Sequence, residues 1–342
     1  MVHQHLRAAG QHIYRRFADE PEKFTLPKWA PAVLLADLVI FLPLLLVVYT
    51  FSSLIPTLAI VEDPNPPSYE PVALDEGAAD QGPVVPGKPI TSSLRATRRL
   101  LASIAGWRSY FRGIALAVVI TIANGIVGGI LDKAIPFVPL GHLLAPLALT
   151  QLITAWTHIV ITAPSELRFY QRLPPFKRTF EATCFPIFAT WVAEVITLGA
   201  AALVAKLLGL QLPTDGDGAP KFTGDAAWKG FVVFLVALFF ELATIVPAKV
   251  LLVRVQASLL GPDEQVILPF DRSFGGKLEP AIVGGKGFIT LRDALTSFPR
   301  SSWVRLYKLS AKIVAVVIGL YVLMAAVIVP EVFLLMAVSK KA

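Results

Sequence analysis

The sequence predicts an all-α membrane protein with six transmembrane helices, arranged as three two-helix units with interfacial amphipathic helices. Three observations carry that prediction. Hydrophobic residues make up 55% of the 342 and charged ones only 16%, with a positive mean hydropathy, a balance that soluble domains do not reach. Apolar runs long enough to cross about 30 Å of hydrocarbon recur along the chain. Lysines and arginines gather beside those runs rather than in one block, as they do where a chain marks its topology in a membrane. The stretch 228–256, WKGFVVFLVALFFELATIVPAKVLLVRVQ, shows the plan in one place: an apolar run holding Glu241, an interruption at Pro247, and a polar exit through Lys249, Arg254 and Gln256.

In chain order, residues 1–32 form a basic tail. Its first part, MVHQHLRAAGQHIYRR, has the composition of a mitochondrial targeting segment or of a solvated basic arm, and lacks the apolar core of a secretory signal. His3, His5 and His12 belong to this tail and are not read as a metal site. The first unit, 33–131, opens with a span at 33–58 containing Asp37, Pro43 and Pro56. Residues 60–89 are rich in Pro, Gly and acid, and so read as a disordered insertion. Residues 91–112 interleave apolar residues and Trp107 with Arg95, Arg98, Arg99, Arg108 and Arg112, the pattern of a helix lying at the interface against anionic lipid headgroups. The second span, 113–131, carries Asn124 and the pair Gly125 and Gly129, which lets helices approach closely.

The second unit, 132–208, has spans at 141–163, with His142 and His158, and at 184–208, with Glu194; Pro164 ends the first of them and a basic loop follows. The third unit, 209–338, begins with a polar loop and the span 230–246. Its long loop 257–287 offers QVILPF and PAIVGG as a short hairpin and is the surface where a protein partner is expected. Residues 288–302 read as a second interfacial helix, and 303–329 as the last span, entered through Trp303, Arg305 and Lys308 at headgroup level. The stretches GWRSYFRG at 106–113 and SWVRLYKL at 302–309 share an order of aromatic and basic residues, which suggests an internal repeat. Loops after the first, third and fifth spans hold most of the positive charge, so both termini are expected on the opposite side.

Ionisable groups inside spans are costly and usually point inward. His158, Glu194 and Glu241, with Asn124, are therefore candidates for a solute or proton path, and equally for interhelical hydrogen bonding. No catalytic constellation, metal cluster or cofactor motif is present: GGKG at 284–287 lacks the spacing of a phosphate loop. Basic residues beside a span point to lipid rather than nucleic acid.

Three units of two spans joined by a basic loop resemble the mitochondrial carrier family. That family closes each odd-numbered helix with a proline, a place taken here by Pro56, Pro164 and Pro247. Arg254 and Gln256 match the basic residue and glutamine that follow the family's proline, and Glu166 matches its acid. The chain departs from the pattern elsewhere: Leu58 and Lys249 stand where acids are expected, and Val61, Phe169 and Leu252 where their basic partners are. The resemblance implies a six-helix fold in a mitochondrial membrane, with an endomembrane as the alternative. Without the paired gate charges, it implies a scaffold or adaptor, or a degenerate transporter, ahead of a working small-solute carrier or an intramembrane enzyme. The segments TAWTHIVITAPS and VRVQASLLGPDEQVILPFDRSFGG also resemble a group of fungal multi-spanning proteins called "ubiquitin carrier protein". Ubiquitin conjugation is not expected, since Cys184 is the one cysteine and sits at a span boundary.

Overall fold

The computed structural model describes residues 29–64, 88–134, 140–165, 167–210, 224–262, 264–279 and 284–339. The basic tail, most of the 60–89 insertion and of the polar loop after the fourth span, Glu166, and 280–283 of the expected hairpin lie outside these residues. The described chain is helical. Five of its helices are long and apolar enough to cross a membrane, or six if one bent pair is counted as a single span.

The helices are α1 (Ala30–Tyr49), α2 (Ile55–Val61), α3 (Leu94–Ala105), α4 (Ile114–Ala134), α5 (Gly141–Ala148), α6 (Thr150–Ile161), α7 (Phe176–Leu207), α8 (Gly224–Phe240), α9 (Val246–Ser258), α10 (Leu291–Thr296) and α11 (Arg300–Ser339). Large apolar side chains on them, such as Ile126 and Ile130 of α4, Leu198 of α7 and Phe231 of α8, are exposed. Such surface is tolerated against lipid and not against water.

Contacts group the chain into two compact units, Met1–Val48 with Val316–Ala342, and Tyr49–Ala315. In the first, Asp37 of α1 hydrogen-bonds Glu331 of α11 side chain to side chain. The second holds the core and everything described below.

Two of the proline exits share a backbone device. Helix α2 follows a π-helical turn at Thr50–Leu54 and has Pro56 in its first turn; α9 follows a π-helical turn at Glu241–Ile245 and has Pro247 in the same place. A proline donates no N–H and crowds the carbonyl one turn back, so the helix widens ahead of it and hydroxyls take up carbonyls nearby. Thr57 Oγ1 donates to Ser53 O (2.8 Å) and Thr244 Oγ1 to Phe240 O (2.7 Å). The middle exit is built differently. Here the span itself is broken, α5 meeting α6 at 64° with Pro146 just before the bend, and Pro164 lies beyond the helix.

The close helix approach uses glycines other than those expected. A Cβ on Gly141 would fall 2.1 Å from Gly128 O, so α4 and α5 touch backbone to backbone there. Gly125 and Gly129 have open space where a Cβ would go.

Of the hairpin expected between QVILPF and PAIVGG, most of the second strand lies outside the described residues, and the first pairs with the end of the third span. Val266 forms an antiparallel bridge with Thr162; Ala163 N donates to Gln265 O (2.6 Å) and Ile267 N to Ile161 O (3.0 Å). Asp63 N donates to Pro269 O (2.9 Å). The stretch 265–269 thus caps the ends of the third and first spans, whose terminal backbone groups have no partners within their own helices.

The two expected interfacial helices also differ. Helix α3 is capped by Ser93 and presents Arg95, Arg98 and Arg99 outward while Thr97 and Leu101 are buried. The second shortens to α10, which packs on α9 and buries Ala294, with Ile289 and Phe298 buried on either side of it. It is a lid on the core, because Ile289, Ala294 and Phe298 find apolar partners there.

Candidate functional site

Helices α2, α6 and α9, the final segments of the first, third and fifth spans, pack on one another in pairs. Leu58, Ile161, Val250 and Val255 are buried among them. The C-terminus of a helix leaves carbonyls without intrahelical donors and carries partial negative charge. In this bundle arginines from distant elements meet those carbonyls.

Arg305, near the start of α11, donates through Nη2 to Ala59 O (3.2 Å) and Glu62 O (3.1 Å), and its Nη1 pairs with Glu62 Oε2 at 3.1 Å. Glu62 is 1% exposed. Its carboxylate also accepts from Ile90 N (2.6 Å), Thr91 N (3.1 Å) and Thr91 Oγ1, so the charge is fully solvated by protein. Arg112, just ahead of α4, donates through Nη2 to Ile159 O (2.9 Å) and Thr162 O at the end of α6. Arg178 of α7 donates to Gly287 O (2.5 Å), in the loop after the fifth span.

Arg254 of α9 lies in the same layer. It donates to Ala294 O (2.9 Å) and Ser297 Oγ (2.7 Å), and its guanidinium sits 4.9 Å from the Phe274 ring and 5.2 Å from that of Phe298. A guanidinium held between two ring faces and a set of carbonyls is desolvated but not abandoned. Phe274 reaches it from a backbone φ of 52°, where a side chain is strained. The turn is fixed by Asp271, which accepts from Ser273 N (2.9 Å), Ser273 Oγ (2.6 Å) and Gly275 N (2.7 Å). Burial pushes the Asp271 carboxyl up, but those hydrogen bonds and the nearby Arg254 outweigh it and hold the group below the usual carboxylate range.

His158 and Gln256 tie α6 to α9. The His158 Nε2 to Gln256 O distance is 2.8 Å, and a carbonyl only accepts, so Nε2 carries the hydrogen. Thr157 Oγ1 donates to Gln256 Oε1 (2.7 Å). Both His158 and Gln256 are buried, so His158 joins two helices rather than lining an open path. Arg172 fastens the same region, its Nη2 donating to Thr162 Oγ1 (2.7 Å) and to Glu264 Oε2 (2.7 Å).

The other path candidates lie apart from this layer. Glu194 of α7 and Glu241 in the turn before α9 are exposed. Glu194 interacts electrostatically with Lys249 of α9 and His142 of α5, and His142 lies 3.7 Å from Asp132. The charged groups acting on His158 are Glu264 and Arg172, so the structure does not bring it together with Glu194 or Glu241. Asn124 Oδ1 is buried in α4 without a hydrogen-bond partner among the described residues.

The residues expected at the headgroup level divide in two. Arg95, Arg98, Arg99, Trp107, Arg108 and Lys308 are exposed and Trp303 half-buried, stacked on Tyr307 and edge-to-face with Phe298. Arg112 and Arg305 turn inward onto helix ends, because a carbonyl row and a buried carboxylate hold a guanidinium better than a crowded interface does. Sequence reading passed over Glu62, Arg172, Arg178 and Glu264. Glu62 had a signal: it is the first charged residue after the charge-free stretch 38–61, though it reads equally as the start of the acidic insertion.

Set against protein-family models, curated proteins and solved structures, the chain matches none.

Proposed function

We propose that this is a carrier-like integral membrane protein whose basic-loop end is held shut, and that it serves as a scaffold or adaptor in a mitochondrial membrane. The observation that carries the reading is the layer of arginines binding the ends of the odd-numbered spans. Arg112, Arg178 and Arg305 each lie near the start of an even-numbered span, and each donates to the end of an odd-numbered span or to the loop that follows it. This cyclic pattern supports three two-span units closing on one another. A transport gate must break and remake its contacts in every cycle, whereas buried pairs such as Glu62 and Arg305 are costly to separate. The exposed Arg95, Arg98 and Arg99 face of α3 suits anionic headgroups, and the loop 257–287 is the surface offered to a protein partner.

One observation favours a second reading as a small-solute carrier. Glu194, Lys249 and His142 are ionisable and outside the core, with Glu194 interacting with each of the other two, which is the chemistry of a solute path within spans. Reconstitution into liposomes with a panel of anions, nucleotides and amino acids separates the two. The scaffold predicts no saturable uptake and specific crosslinks from cysteines placed in 257–287. Saturable uptake lost in Glu194→Gln and Glu241→Ala overturns it in favour of the carrier.

A further inference from the structure

Three buried donors near the third span's end have no hydrogen-bond partner among the described residues: Ser109 Oγ, Arg112 Nη1 and Arg172 Nε. The residues that carry them line one cavity of about 290 Å³, together with Arg108, Ile159 and Leu167. Ser109 is wholly buried, and the Arg172 side chain is 5% exposed. An unsatisfied buried donor costs on the order of 1–3 kcal/mol, more when charged, so three around one space ask for a shared acceptor.

The charges around the space narrow what that acceptor is. Arg112 and Arg172 are close enough to repel each other. Among the described residues, the carboxylate in contact with them is that of Glu264, which occupies Arg172 Nη2. Arg112 spends Nη2 on the carbonyls of Ile159 and Thr162 and has no acid partner among the described residues. A water molecule satisfies the donors but brings no negative charge to two neighbouring guanidiniums; an oxyanion does both. Guanidinium forks match the oxygens of phosphate in spacing and direction, and a serine hydroxyl adds a further donor. Arg108 is exposed and lines the same cavity, while Ile159 and Leu167 give it apolar wall for whatever the phosphate is attached to.

We infer that this cavity is a phosphate-group site, with Ser109, Arg112 and Arg172 as its ligands, taking either a lipid phosphate monoester or free phosphate. The site uses none of the path candidates Glu194, Glu241 or Asn124, and is independent of whether the chain moves a solute. Occupied, it places a negative charge beside the end of the third span.

The test uses the full chain purified in nonionic detergent, with calorimetric titrations of inorganic phosphate and of dioctanoyl phosphatidic acid at constant ionic strength. Dioctanoyl phosphatidylcholine is the control lipid. Saturable binding of both probes, or of either alone, is the expected result, and which one binds identifies the source. Ser109→Ala, which removes a single oxygen, and Arg172→Lys, which keeps the charge but loses Nε, should each weaken binding roughly tenfold, the scale of a hydrogen bond to a charged group. Arg292→Gln, exposed on α10 and away from both the cavity and the basic face of α3, should leave it unchanged. Helical circular dichroism and a monodisperse elution profile establish that each variant is folded. The inference is overturned if neither probe saturates, if binding is unaffected by both cavity variants, or if Arg292→Gln weakens it as much as they do.

Discussion

Residues 106–113 and 302–309 set out aromatic and basic residues in the same order ahead of an apolar run, yet they fold differently. The first is a 3-10 segment, Gly106–Phe111, between two glycines of positive φ, Gly106 at 60° and Gly113 at 71°. The second is unbroken helix within α11. Glycine placement decides the backbone, since other residues avoid that region and Gly enters it freely. What the two stretches share is the delivery of one arginine to the end of an odd-numbered span. They differ in what that arginine finds. Each keeps one buried nitrogen unpartnered among the described residues, but Arg305 meets a carboxylate as well as carbonyls, whereas Arg112 meets carbonyls. The comparison teaches that one end of the bundle is closed by an ion pair and another by a guanidinium that meets carbonyls and, among the described residues, no carboxylate.

The largest effect should come from breaking the ion pair. Arg305→Ala leaves the buried Glu62 carboxyl without its cationic partner, at a cost of about 3–5 kcal/mol, read as a lowered thermal midpoint in detergent. The double change Arg305→Met with Glu62→Met should recover most of it, because the apolar pair leaves no charge behind. If the double variant is as unstable as the single, the pair is not what closes that end.

Arg112→Gln should cost less, about 1.5–3 kcal/mol, since only charge-assisted bonds to carbonyls are lost and a repulsion with Arg172 is relieved. A loss as large as that of Arg305→Ala, in the same melting assay, erases the distinction between the two arginines.

The glycines give a finer contrast. Gly106→Ala meets no neighbouring atom and pays only backbone strain, about 1–3 kcal/mol. Gly113→Ala carries similar strain and also places its Cβ 3.0 Å from the Trp156 ring, which is itself tied to Tyr49 by a 2.9 Å hydrogen bond. It should therefore be the less stable of the two by denaturant titration. Equal stability means the ring gives way.

The smallest effect is in the turn beside Arg254. Asp271 has its folded pKa below its unfolded one, so its contribution is present above the unfolded value, about 4, and lost as pH falls through the folded value. Wild type should lose stability relative to Asp271→Asn only below about pH 4, with the two curves parallel at neutral pH.

The spans were legible because hydropathy is a local property. The runs read at 33–58 and 303–329 correspond to helices found at Pro31–Val61 and Arg300–Glu331. Pro56 and Pro247 were legible as punctuation; the π-helical turns ahead of them were not, since a widened turn depends on which carbonyls find other donors. Gly125 and Gly129 have the right spacing for helix contact, but Gly128 faces Gly141, because the bend between α5 and α6 sets which side of α4 is approached. His158 looked like a path residue until Gln256, 98 positions away, supplied its partner.

By itself the sequence determined which segments are apolar enough for a bilayer, where prolines and glycines interrupt them, and where positive charge gathers. Tertiary structure alone decided which charges are buried and with whom. Glu62 and Arg305 lie 243 positions apart, and nothing in either neighbourhood names the other. The physical reason is that the free energy of a buried charge depends on partners within a few ångströms, and those are chosen by how helices cross rather than by order along the chain.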